Sequence, residues 1–228
     1  MSQQESNMVL GADDILINSD VVAPTLKSST AKRLLDVVGS AALIVALLPV
    51  MLIIAFVISL DGGSPVYRQR RVGQNGKMFD CLKFRSMVLN SQEVLEKLLK
   101  SDPEALREWQ ETQKLTNDPR ITRIGKFIRS TSLDELPQLW NIFKGDMSLV
   151  GPRPIIREEI ARYGCYYAHY KSVRPGLTGL WQVSGRSNTS YANRVELDTS
   201  YVTNMSFIGD IQILLKTVKV VLKREGAC

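Results

Sequence analysis

Arg129-Ser130-Thr131-Ser132-Leu133-Asp134-Glu135-Leu136-Pro137-Gln138 sets two adjacent carboxylates between apolar neighbours, one turn after an arginine and just before a proline. Phosphoryl chemistry uses such parts. One carboxylate can hold a magnesium ion or attack phosphorus, while the arginine offsets charge on the phosphate oxygens. Lys126 and Lys144 lie close in the chain. The same residues also read as an ordinary helix start. Ser132 would then be the N-cap, with Asp134 and Glu135 in the first turn, where the helix dipole favours acids. The stretch alone does not decide between the two.

Other candidate cations fall in two places. In Pro152-Arg153-Pro154 the prolines restrict the backbone on both sides of Arg153, so its guanidinium has little entropy to lose on meeting a diphosphate. A structural salt bridge explains that arginine equally well. Residues 66–85 carry Arg68, Arg70, Arg71, Lys77, Lys83 and Arg85, which suit phosphates or anionic lipid headgroups. The segment Val173 to Arg186 is rich in glycine with interleaved cations and can cradle phosphate through backbone N–H groups. Neither GxGxxG nor GxxxxGK occurs, which argues against Rossmann and P-loop nucleotide sites. The single histidine, His169, rules out histidine-based metal clusters. Cys81, Cys165 and Cys228 are widely spaced and odd in number, which fits a reducing compartment and no disulfide framework.

The elements that must position these residues begin with a polar tail, residues 1–30. The first apolar run starts too late for a signal peptide. That run, Val37 to Leu60, holds 24 residues without a charge. As a straight helix it would measure about 36 Å, enough for a hydrocarbon core of about 30 Å. Pro49 sits at its centre, and cations flank both ends: Lys32 and Arg33 before, Arg68, Arg70 and Arg71 after. With both flanks basic, the positive-inside rule points to a helix-break-helix that enters the cytoplasmic leaflet and returns; a kinked single crossing is the alternative. Beyond a turn at 61–65, two short strands around Asn75-Gly76 predict a hairpin. Residues 91–115 read as a charged amphipathic helix interrupted at Pro103, residues 139–147 as a helix closed by Lys144-Gly145, and Arg157 to Tyr170 as a further helix. The run 210–224 reads as a basic amphipathic helix suited to a membrane interface. A net charge of +6 and a pI near 9.3 favour an anionic partner.

Taken together, the apolar segment with central proline, KFRSM (Lys83 to Met87), NDPR (Asn117 to Arg120), TSLDELPQLWN (Thr131 to Asn141), KGDMSLVGPRP (Lys144 to Pro154) and RPGLTGLWQVSGR (Arg174 to Arg186) resemble the bacterial sugar transferases. These are the monotopic phosphoglycosyl transferases that begin exopolysaccharide and O-antigen synthesis. The short tail, without preceding membrane helices, is similar to the compact class, and Leu-Trp-Gln-Val-Ser-Gly-Arg to members that transfer galactose 1-phosphate or glucose 1-phosphate. The resemblance implies a catalytic dyad at Asp134 and Glu135. Asp134 would attack the β-phosphorus of a UDP-hexose, and Glu135 would orient Mg2+ or take a proton from the lipid phosphate. The same dyad would bind the metal. The resemblance also implies phosphate binding by Arg129, diphosphate contact by Arg153, and secondary phosphate contacts by Lys83 and Arg85. Ile155-Ile156-Arg157-Glu158 depart from the family, many of whose members carry another proline there.

The expected fold is α/β and mostly helical: a re-entrant membrane helix-break-helix (31–61) and a compact cytosolic catalytic domain (62–228) with a small β-hairpin and amphipathic interfacial helices. Expected partners are a UDP-hexose, undecaprenyl phosphate and bacterial inner-membrane lipids, with a homodimer left open and no nucleic acid. Two other readings compete. A membrane-anchored anion-binding module would use the dyad only as a helix cap, and a transferase moving sugar without phosphate would release UDP instead of UMP.

Overall fold

The computed structural model describes residues 30–112, 115–185 and 189–223. The expected tail, 1–30, therefore lies outside the described residues except for Thr30, which opens the first helix. Helix α1 runs from Thr30–Ser59 with Pro49 inside it. The break expected at Pro49 is absent. One stripe of α1 packs against the rest of the protein on both sides of the proline: Leu35, Ile44 and Leu47 before it, Met51, Ile54, Ala55 and Ile58 after it. Continuous packing at i, i+3 and i+4 spacing holds the two halves in one helix despite the missing N–H. The opposite face is apolar and bare, with Val45, Leu52, Ile53 and Phe56 all well exposed.

Polar contacts fasten each end of this apolar helix. Asp36, 1% exposed, accepts hydrogen bonds from the Leu149 N–H (2.8 Å) and the Ser148 hydroxyl (3.0 Å). Lys32 reaches Asp210 at 2.6 Å and donates to the Val150 carbonyl at 2.9 Å. At the far end Arg85 forks onto Asp61, two contacts of 2.6 Å, and donates to the Ile58 carbonyl at 3.0 Å. That bond satisfies a carbonyl the helix terminus leaves without an intrahelical partner.

The hairpin forms as expected. Strands β1 (Val66–Val72) and β2 (Met78–Phe84) pair antiparallel from Val66↔Phe84 to Val72↔Met78. Asn75 and Gly76 both take left-handed φ, the conformation an Asn-Gly hairpin turn needs. Helices α2 (Ser91–Ser101) and α3 (Pro103–Thr112) divide at Pro103. Helix α4 (Arg123–Ser130) and helix α5 (Gln138–Lys144) follow, and α5 ends on Gly145 at φ +100. Strands β3 (Ser148–Val150) and β4 (Gly176–Thr178) pair in parallel, a second small sheet the sequence reading did not contain. Between them the expected helix over 157–170 is divided into α6 (Ile160–Tyr163) and α7 (Tyr167–Ser172) by a turn at Gly164, φ +51. Helices α8 (Leu180–Val183), α9 (Tyr191–Thr203) and α10 (Phe207–Lys223) complete the described residues. The main core joins Leu139, Ile142, Met147, Leu149, Val150, Tyr201, Val202 and Ile213.

Asp36 is the buried acceptor on which the α1–β3 contact rests, so Asp36→Ala leaves the Leu149 N–H and the Ser148 hydroxyl without it. The Ser148 hydroxyl keeps the Val150 carbonyl at 3.0 Å, so the orphaned group is the Leu149 N–H, at a cost of about 1–3 kcal/mol. The variant should melt at clearly lower temperature than the parent in the same detergent, whereas Val45→Ala on the bare face should not.

Candidate active site

The carboxylate pair sits in the connection between α4 and α5. Thr122 caps α4 by accepting from the Gly125 N–H at 2.9 Å. Gly125 lies so close to the Ser86 backbone that a Cβ there would collide with the Ser86 carbonyl. That approach brings Arg129, in the last turn of α4, onto the end of the hairpin, where its Nε donates to Ser86 Oγ at 2.8 Å. The chain then reverses at Ser132, which adopts φ +57 and makes no side-chain cap. The ordinary helix-cap reading of this stretch is therefore not what forms. Asp134 and Glu135 occupy a single 3-10 turn, Leu133–Glu135, and α5 begins only after Pro137. A serine in the left-handed region carries a backbone cost of about 1–2 kcal/mol, held by the packing around it. Leu133 and Leu136 supply that packing against Ile54, Ile58, Phe84 and Ile128. The carboxylates thus stand beside the cluster that receives the second half of α1.

Glu135 is the point where three segments meet. Lys83 Nζ of β2 lies 2.8 Å from its Oε1, and Arg153 Nη1 lies 3.7 Å from the same oxygen. Burial pushes the Asp134 carboxyl above its ordinary range, Glu135 adds to that, and Lys83, Arg129 and Arg153 pull it back. Among the described residues no hydrogen bond or ion pair holds the Asp134 carboxylate. The structure therefore brings Asp134, Glu135, Lys83 and Arg153 together, with Arg129 near enough to act on Asp134. It does not bring Arg85 to them, because Arg85 is committed to Asp61 and the end of α1. Lys144 also turns elsewhere, to Asp146 at 3.4 Å.

Asn141 was missed as a supporting residue, although it closes the quoted TSLDELPQLWN block. It is 2% exposed and bonds β2 twice, accepting from the Leu82 N–H at 3.0 Å and donating to the Asp80 carbonyl at 2.8 Å. This fixes the strand that carries Lys83 against the helix that follows the dyad. A second missed assembly stands behind the Pro-Arg-Pro loop. Glu159 accepts from the Ile156 N–H at 2.9 Å and the Tyr191 hydroxyl at 3.1 Å, and pairs with Arg194 at 3.3 Å and Arg71 at 3.5 Å. Its place three residues after Ile156 is the one local sign of this role. The Ile155-Ile156 departure is accommodated, because the Ile155 carbonyl accepts from the Val72 N–H at 2.9 Å. Asp198, 2% exposed, accepts from the Tyr163 hydroxyl at 2.6 Å, and its other oxygen has no hydrogen-bond partner among the described residues. Burial pushes its carboxyl up to about 6, despite Tyr163 and Arg194.

Two adjacent carboxylates are a donor set that Mg2+ accepts when substrate phosphates complete its shell. Among the described residues no group of three or more acidic, histidine or cysteine side chains is placed to hold a metal by itself. The site therefore fits a metal that arrives with a phosphate ligand better than a closed structural one.

Residues 27–224 match the family described as bacterial sugar transferase. The chain is 59% identical over 196 residues to the UDP-galactose-lipid carrier transferase of Erwinia amylovora, covering 86% of this chain and 41% of that protein. It is 54% identical over 196 residues to the undecaprenyl-phosphate galactose phosphotransferase of Salmonella typhimurium, with the same coverage of each. The exopolysaccharide production protein ExoY of Rhizobium meliloti is 48% identical over 198 residues, which cover 86% of this chain and 88% of that protein. The chain thus spans about two fifths of the first two relatives and most of the third.

Asp198 supplies a pH signature. Its folded carboxyl at about 6 lies above the ordinary 3.8, so the folded state binds the proton more tightly. This contribution to stability is full below pH 3.8 and is lost as pH rises through about 6, a change of about 3 kcal/mol. Denaturation followed by tryptophan fluorescence should show that fall in the parent and not in Asp198→Asn. An equal offset between the two at every pH would contradict the assignment.

Proposed function

The chain belongs to the bacterial sugar transferase family, and from that premise we propose that it transfers galactose 1-phosphate or glucose 1-phosphate from a UDP-sugar to undecaprenyl phosphate, releasing UMP. The names of the two galactose-transferring relatives support both donor and acceptor. The observation that carries the reading is the arrangement at the dyad: a half-buried Asp134, unpaired among the described residues, beside a Glu135 held by Lys83 and Arg153.

In the first step an Asp134 carboxylate oxygen attacks the β-phosphorus of the UDP-sugar. The bond from that phosphorus to the oxygen bridging the two phosphates breaks, and the oxygen leaves with its electron pair as part of UMP. Arg153 and Lys83 bear on the negative charge of the diphosphate, and Arg129 holds a phosphate oxygen from the Ser86 side. In the second step an oxygen of undecaprenyl phosphate attacks the phosphorus of the aspartyl phosphosugar, and the Asp134–phosphorus bond breaks to restore the carboxylate. Glu135 takes the proton when the lipid phosphate arrives protonated. Mg2+ bound through Asp134 and Glu135 would supply further neutralisation of phosphate charge.

An acceptor in lipid requires the site to lie at membrane depth. Support comes from the shared packing of Leu133, Leu136, Ile54 and Ile58, which sets the dyad beside the apolar helix. Both ends of α1 are fastened to the same body, through Lys32 and Asp36 at one end and Asp61 at the other. We therefore read α1 as monotopic, with both ends on the cytoplasmic face of the inner membrane, where UDP-sugars are found.

With detergent-solubilised protein, Mg2+, undecaprenyl phosphate and a panel of UDP-hexoses, the parent should release UMP, and Asp134→Asn should lose at least about a thousand-fold in rate. Release of UDP would replace this reading with glycosyl transfer. Attack needs ionised Asp134, so activity should fall on the acid side at a higher pH than an exposed aspartate would impose. Lys83 is the cation that most lowers the Asp134 carboxyl, so Lys83→Met should move that limb to still higher pH.

A further inference from the structure

Arg153 is the one active-site cation on a loop, and the backbone of that loop is tied down at each residue from 152 to 156. The Pro152 carbonyl accepts from the Gly176 N–H at 2.8 Å. The Arg153 carbonyl accepts from Arg194 Nη2 at 3.3 Å, and the Pro154 carbonyl from Arg71 Nη1 at 3.1 Å. The Ile155 N–H donates to the Tyr170 hydroxyl at 3.2 Å and the Ile156 N–H to Glu159 at 2.9 Å. The backbone is thereby fixed, but nothing in it aims the guanidinium. That group lies over the Trp181 ring, 6.0 Å from its centroid. Arg194, which already holds the Arg153 carbonyl, lies over the same ring at 4.8 Å. The ring itself is anchored by its Nε1–H, which donates to Thr189 Oγ1 at 2.8 Å.

We propose that Trp181 is a positioning residue for Arg153. Its π face holds the guanidinium toward Glu135 and the donor diphosphate, while Arg194 braces both the ring and the loop. Arg153 is 36% exposed at its side chain, so without the ring its four-torsion side chain would sample solvent before meeting a phosphate. The electrostatic reason for an aromatic platform is specific. Glu135, 3.7 Å from Arg153, already offsets part of its charge; a second carboxylate in place of Trp181 would offset more and compete with the diphosphate, whereas a ring quadrupole orients the cation without adding a counter-charge. Arg71 illustrates the crowding, since its own ionisation is opposed by burial and then by the nearby Arg153 charge.

The inference rests on the donor reading proposed above. UDP binding by the full chain in detergent, measured by calorimetry, separates the two. The parent should bind UDP, and failure to bind overturns the donor reading and this inference with it. Trp181→Leu should bind UDP about three- to thirty-fold more weakly, the range expected for an exposed to partly desolvated cation–π contact. Trp181→Phe, which keeps a π face and loses the bond to Thr189, should recover most of the affinity. The decisive comparison is the double variant: in an Arg153→Ala background, Trp181→Leu should have no further effect. A penalty equal to that in the parent background, or equal loss in the Leu and Phe variants, overturns the positioning role and leaves the donor reading intact.

Discussion

One carboxylate, Glu135, constrains the geometry of the whole site. A residue from the hairpin, Lys83, and a residue from the loop after β3, Arg153, converge on the same oxygen. The two segments also meet away from the site, where the Val72 N–H donates to the Ile155 carbonyl and Arg71 holds the Pro154 carbonyl. Because Glu135 follows Asp134 in one 3-10 turn, fixing the first fixes the second. Asp134 itself remains without a protein partner among the described residues. A nucleophile needs that combination: a rigid position without a hydrogen bond that must be broken before attack.

Helix α1 enters the same constraint from two directions. Its N-terminal half is tied through Asp36 and Lys32 to β3, the strand that leads directly into the Pro-Arg-Pro loop. Its C-terminal half packs under Leu133 and Leu136, which bracket the dyad. An apolar helix with a wholly bare outer face is therefore mechanically continuous with both sides of the site. The hydrophobic effect would drive that bare face into lipid, and the docked face carries the chemistry with it. Arg85 belongs to this mounting role. Its fork on Asp61 holds that carboxyl down to about 2, consistent with an ion pair that stays formed across the physiological range.

Local chemistry made part of this legible from the sequence. Asn75-Gly76 dictated the hairpin turn, Gly145 the end of α5, and Pro103 the division between α2 and α3. The dyad, Lys83 and Arg153 were recognisable as residue types in quotable blocks. The rest depended on partners far apart in the chain. Arg85 and Asp61 are separated by 24 positions, and no pattern in the hairpin distinguishes the cation that mounts the helix from the one that reaches the site. Strands β3 and β4, three residues each, show no periodicity to read. The left-handed Ser132 has the composition of an N-cap and a different backbone. Pro49 signalled a break, and the packing of Ile44, Leu47, Met51 and Ile54 around it outweighed that local preference.

Covalent catalysis by Asp134 is tested by intact mass of the protein incubated with Mg2+ and the UDP-hexose it turns over, with undecaprenyl phosphate left out. Peptide mapping would then locate any modification. A nucleophilic Asp134 gives an added mass of one hexose phosphate on the peptide containing it, removed when undecaprenyl phosphate is added. Stoichiometric UMP release with no adduct, or an adduct on another residue, would contradict that role.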